Sequence, residues 1–154
     1  MNATSITLSE RQKKRLAVGH NPALETVKNW DIDALAGAGA LRSTANDMLK
    51  FAAAHLELTG TPLKSAVRRM RTVHRDTGTA GLEIGMGWHI VKRHGTEIVW
   101  HNGATAGYTS FLGIDPSKKR AVIVLCNTAL NNDDAGLHFL EGRFPVAKFP
   151  SANP

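Results

Sequence analysis

The chain has 154 residues, a one-domain length that can bury a modest core, and its 42% hydrophobic and 21% charged residues are ordinary for a globular protein. No apolar run approaches the ~18 residues a membrane helix needs. The start is polar and then basic (Arg11, Lys13, Lys14, Arg15) with no apolar stretch behind it, so no cleavable signal peptide is expected in the chain as written and the compartment stays open.

The formal charge of +6 raises nucleic acid as a partner. The basic residues are scattered, however, over 13–15, over Arg68, Arg69 and Arg71, and over 118–120, and no aromatics interleave with them. Neither a nucleic-acid nor a membrane partner is expected. The one cysteine, Cys126, can form no internal disulfide and reads as a buried small hydrophobe.

The first forty residues read as mostly irregular, punctuated by Asn21-Pro22 and the Gly37 and Gly39 pair, with a short helix hinted at over 8–18. A clear helix follows. Ser43 and Thr44 are good N-caps, and Asp47 stands three residues after Thr44 as an acidic variant of the capping box. Met48, Phe51, Ala52 and Leu56 recur at helical spacing, and Gly60 with Pro62 ends the helix. The next helix begins near Pro62. Leu63, Ala66, Val67, Met70 and Val73 form its buried stripe, while Arg68, Arg69 and Arg71 face water.

After Gly78 the period changes. Residues 87–91, 97–101, 108–114 and 121–127 read as four strands, with links at 93–95, 103–107 and 115–119. Links this short allow hairpins and exclude parallel crossovers, so the sheet is expected to be an antiparallel meander. The run 121–126 is apolar at every position, which suggests a strand covered on both faces. A last helix is expected over 132–141, with a loose Pro-containing tail over 145–154. The class is α+β: one domain over 1–144, helical and irregular over 1–77, with sheet and terminal helix over 78–144.

Three stretches carry a resemblance. Ala36-Gly-Ala-Gly-Ala-Leu-Arg-Ser-Thr-Ala-Asn-Asp-Met-Leu-Lys-Phe51 is a glycine-rich approach to a capped helix. Gly85-Met-Gly-Trp88 precedes a strand. His101-Asn-Gly-Ala-Thr-Ala-Gly-Tyr-Thr-Ser110 leads into Leu112-Gly-Ile-Asp-Pro116. Together, in this order and spacing, they resemble the serine β-lactamase-like family of class C β-lactamases, DD-peptidases and related esterases. The last stretch is similar to that family's Lys-Thr-Gly or His-x-Gly strand. Even Met1-Asn-Ala-Thr resembles an internal segment, so the chain is expected to be a C-terminal portion of such a protein, a partial β-lactamase/transpeptidase-like fold.

The resemblance implies that His101 binds a substrate carboxylate or moves a proton. It implies substrate contacts at Asn102 and Gly103, and that the Ala104 N–H supplies half of an oxyanion hole. Histidine where penicillin-active members carry lysine implies a parent that is an esterase or peptidase more than a strong β-lactamase. From strand alternation alone, His101 and Gly103 share one face and Asn102 takes the other; a lone strand histidine would otherwise read as structural.

Acyl transfer in the resembled family needs a serine followed three residues later by lysine. The residues three after the seven serines are Leu8, Gln12, Asn46, Arg68, Gly113, Arg120 and Pro154, and none is lysine. Thr61 has that spacing to Lys64 but sits between Gly60 and Pro62, where capping is the better explanation. The Tyr-x-Asn motif is absent, since Ser110 stands two residues after Tyr108, the sole tyrosine. Gly103-Ala-Thr-Ala-Gly107 mimics a nucleophile elbow but has strand pattern on both sides. His89, His94 and His101 fall in one predicted hairpin at no standard zinc spacing, so no metal or other cofactor is expected. The expected function is therefore a hydrolase fragment with a substrate-binding strand and no nucleophile, inactive alone. The alternatives are completion by another chain or a non-catalytic binding module. The resemblance also implies that the family's N-terminal strands are missing, and the sheet edge this leaves open implies a homo-oligomer or a chain supplying those strands.

Overall fold

The computed structural model describes residues 1–32, 34–72 and 75–144. The helix predicted to begin near Thr44 is α3, Ala45–His55; Thr44 caps it by accepting the Asp47 N–H at 3.3 Å. The reciprocal half of a capping box is replaced by a longer reach. The Asp47 carboxylate takes the Ala3 N–H at 2.7 Å and the Thr4 hydroxyl at 3.1 Å, tying the N-terminal segment to the helix. Before α3, the segment expected to be irregular contains two single turns, α1 (Glu10–Lys13) and α2 (Ala36–Gly39).

The next helix, α4 (Lys64–Thr72), departs from its predicted stripe. Val67 is buried and Met70 partly so, but Leu63 and Ala66 are exposed, and Val73 lies outside the described residues. Arg71, predicted to face water, has a side chain only 13% exposed and lies 3.6 Å from Glu57. The cause is Glu57 itself, which sits just past α3 with φ 58° and also gathers Lys64 and Arg68.

Six strands make one antiparallel sheet in sequential order: β1 (Arg75–Asp76), β2 (Leu82–Ile84), β3 (His89–Arg93), β4 (Thr96–Thr105), β5 (Tyr108–Asp115) and β6 (Arg120–Cys126). The meander is as predicted. The two extra strands are β1 and β2, of two and three residues, too short to show a period. The β3–β4 turn is His94-Gly95, both at positive φ, as a tight two-residue hairpin requires.

Alternate residues feed two cores on opposite faces of the sheet. On one face, Ala52 and Leu56, with Met48 and Phe51 of α3, pack on Trp88, Ile90, Val99, Leu112 and Ile114. On the other, Leu137 and Leu140 of α5 (Asp133–Glu141) cover Ile98, Trp100 and Phe111. Gly136 lets α5 lie flush on β5, because a Cβ there would fall inside the Phe111 ring. In β6, Ala121 and Ile123 face the first core and Val122 and Val124 the second. That two-sided cover accounts for the apolar residues over 121–124, whereas Leu125, expected to be covered as well, is exposed. The predicted tail lies outside the described residues.

Candidate active site

Strand β4 is longer than its sequence pattern suggested. It runs on through His101–Thr105, and the turn to β5 shrinks to Ala106-Gly107. Gly107 is at φ +75°, and a side chain there would strike Val27 and the backbone of Gly19 and His20. The 17–29 segment thus seats directly on this turn, with the His20 N–H donating to the Gly107 carbonyl at 3.2 Å.

Pairing decides what β4 can offer. Against β5 it is paired as far as Thr105, with Gly103 opposite Ser110. Against β3 the ladder ends at Trp100, which stands opposite His89. From His101 onward one edge of β4 therefore has no neighbouring strand among the described residues. An extended ligand could lie along such an edge and use its free backbone groups.

The predicted site residues separate along this edge. His101 is exposed, and its Nδ1 lies 2.5 Å from the Asn102 carbonyl oxygen. A carbonyl only accepts, so Nδ1 carries a proton and Nε2 is the ring nitrogen left for another partner. The face of that ring lies against His89, with centroids 5.4 Å apart and planes 30° apart. Asn102 turns to the α5 side, where its amide donates to the Asp133 carboxylate at 2.7 Å. Gly103 and Ala104, both exposed, line a cavity of about 580 Å³ together with Thr105. His101 and Asn102 are not among its lining residues. The lining also includes the 36–44 segment, the 15–17 segment, Leu125 and Cys126 at the end of β6, and Asn127 just past it.

Other candidates are placed as follows. The Thr61 hydroxyl accepts the Leu63 N–H at 3.2 Å, a turn contact ahead of α4. The Ser43 hydroxyl contacts Thr4 at 2.8 Å and the Thr44 carbonyl at 3.5 Å, neither of which is a base. The Tyr108 hydroxyl donates to the Ala17 carbonyl at 2.5 Å, and burial raises its pKa above the ordinary phenol value. It is a protonated strut for the 17–29 segment. Thr105 ends a strand that turns into another strand, without the helix an elbow needs. His94 lies in the β3–β4 turn, at the end of the hairpin away from His89 and His101. Cys126 is half-buried at the cavity wall, not in the core.

Two contributors were missed by sequence reasoning. Asp133 pins Asn102, and Ser110 faces Gly103 so closely that a Cβ on the glycine would stand 2.7 Å from its hydroxyl. The second could have been found from the register of the 108–114 strand.

The family model described as Beta-lactamase matches residues 1–143. An unguisins hydrolase of Aspergillus campestris is 29% identical over 96% of this chain, which covers 31% of that protein. A β-lactamase/D-alanine carboxypeptidase from Pseudomonas syringae superposes with a TM-score of 0.78 at 18% identity, over 94% of this chain and 50% of its own. A D-alanine carboxypeptidase from Burkholderia cenocepacia superposes with a TM-score of 0.78 at 18% identity, over 90% of this chain and 50% of its own. At such identities the structures share the fold alone. The chain spans about half the length of these solved structures and about a third of the curated relative.

Proposed function

The chain belongs to the beta-lactamase family, and from that premise we propose that it forms the substrate-binding wall of a serine acyl-transfer site without itself supplying the nucleophile. The observation that carries this reading is the open edge of β4 over His101–Thr105, beside a cavity lined by Gly103 and Ala104. With Nδ1 committed to the Asn102 carbonyl, the His101 Nε2 meets the substrate: protonated, it donates to a carboxylate; neutral, it accepts a proton. The Ala104 N–H is assigned to a developing oxyanion. Asn102 acts through Asp133, holding the strand against α5.

The covalent step would form a bond from a serine oxygen to the substrate carbonyl as the leaving group departs with the serine's proton. No Ser-x-x-Lys pair exists in these 154 residues to begin it. The substrate is an ester, a D-amino-acid peptide or a β-lactam. A second reading is favoured by the outer edge of β6, which has no neighbouring strand among the described residues and lies next to the same cavity. A strand from another chain, either a second copy or one bearing the nucleophile, pairs there and completes the sheet.

The test is a titration with acetyl-D-alanyl-D-alanine followed by histidine ring NMR. Saturable displacement of the His101 resonances without turnover, with binding lost in His101→Ala, is the expected result. Binding that survives His101→Ala would remove this strand from the function.

A further inference from the structure

We propose that His89 is a positioning residue for His101, its ring forming the backstop that holds the His101 imidazole at the open edge of β4. This rests on the reading of His101 as the group that meets substrate. His89 is the first residue of β3, so it stands where the ladder with β4 stops and the open edge begins. Its ring is half-buried between two others, 4.8 Å from Trp100 and 5.4 Å from His101. Trp100 in turn stacks on Phe111 at 5.7 Å, and Phe111 is 1% exposed. The exposed His101 is thus the outermost ring of a stack anchored in the α5-side core.

The support comes from stacking and not from hydrogen bonding. His89 Nδ1 is buried with no hydrogen-bond partner among the described residues. Burial and then the neighbouring His101 depress the His89 pKa, while Asp133 at the start of α5 acts the other way. That direction favours the uncharged form of the His89 ring beside His101. Two contacts then hold the His101 ring, the Asn102 carbonyl at Nδ1 and the His89 ring, and they leave Nε2 as the nitrogen for a ligand. A side chain otherwise free to rotate at the surface would have to be ordered on binding, and such ordering weakens binding.

The experiment uses the whole chain with ¹³C,¹⁵N-labelled histidine. A cross-relaxation peak between the His89 and His101 rings is expected in the unsubstituted protein, and its absence overturns the proposal. His89→Ala is expected to move the His101 ring resonances toward free-imidazole positions and to weaken acetyl-D-alanyl-D-alanine about three- to tenfold. His89→Phe keeps a ring and is expected to rescue both readouts. Unchanged His101 resonances in His89→Ala, or equal losses in the Ala and Phe variants, would contradict it. Should the Ala variant fail to fold, the ring-to-ring peak and the Phe variant still decide. A dipeptide that leaves His101 unmoved in the unsubstituted protein sinks the binding role of the strand, while the ring contacts judge His89 separately.

Discussion

A histidine with one ring nitrogen bound to a carbonyl has a single nitrogen left for chemistry, and His101 is held in that state. The chain contains a contrasting case. His55 is 2% exposed, packed between Phe51 at 4.4 Å and Trp88 at 5.1 Å, on the helix whose capping was plain in the sequence. Burial first, and the nearby Arg71 second, bring its pKa down to about 4. The unfolded chain binds this proton at the ordinary value, so it carries more protons than the folded one between about pH 6.5 and about pH 4. Stability therefore falls as pH drops through that window, by at most about 1.4 kcal/mol per unit. Glu57, held at about 2, and Asp47, held low by the Ala3 N–H, add acid sensitivity only below the unfolded carboxylate range. Urea midpoints measured from pH 7 to pH 5 are expected to slope downward in the native sequence and less steeply in His55→Gln, where the depressed His89 still contributes. A flat native profile would contradict the burial of a neutral imidazole.

Among the elements, the sheet's two edges are protected unequally. Strand β1 is two charged residues long, which discourages further pairing. Strand β6 runs seven residues with one charge, Arg120, and leaves Leu125 45% exposed. Self-association through β6 is expected as a rise of sedimentation coefficient with concentration, suppressed in Leu125→Lys. A native chain that stays monomeric up to its solubility limit would remove that edge as an interface. The four long strands and the capped α3 were legible because each repeats its period several times. What stayed hidden depended on distant partners: β1 and β2 need β3 to exist as strands, and Asp47 looked like a local cap because nothing nearby in sequence announces Ala3. Arg71 looked solvent-facing because Glu57 lies fourteen positions away, on a left-handed residue that no pattern requires. The site was legible only in its motif. The separation of Asn102 from Gly103 followed from alternation, but the ring stack behind His101 needed the register, which the hairpin at 93–95 already fixed.

At the scale of the whole molecule, two cores on opposite faces of one sheet make a unit with α3 on one side and α5 on the other, and the candidate site lies along β4 where β3 stops. The fold is shared with solved structures about twice as long, and this chain contains no serine followed three residues later by lysine. The proposed function separates binding from the nucleophile, with only the first carried by these residues. Intact-mass spectrometry of the purified chain, after exposure to a fluorophosphonate and, separately, to a penicillin, tests that separation. An unchanged mass with both reagents is the expected result. A stoichiometric adduct would contradict the claim, and the modified residue, with Ser43 and Thr61 examined first, would identify a nucleophile within this chain.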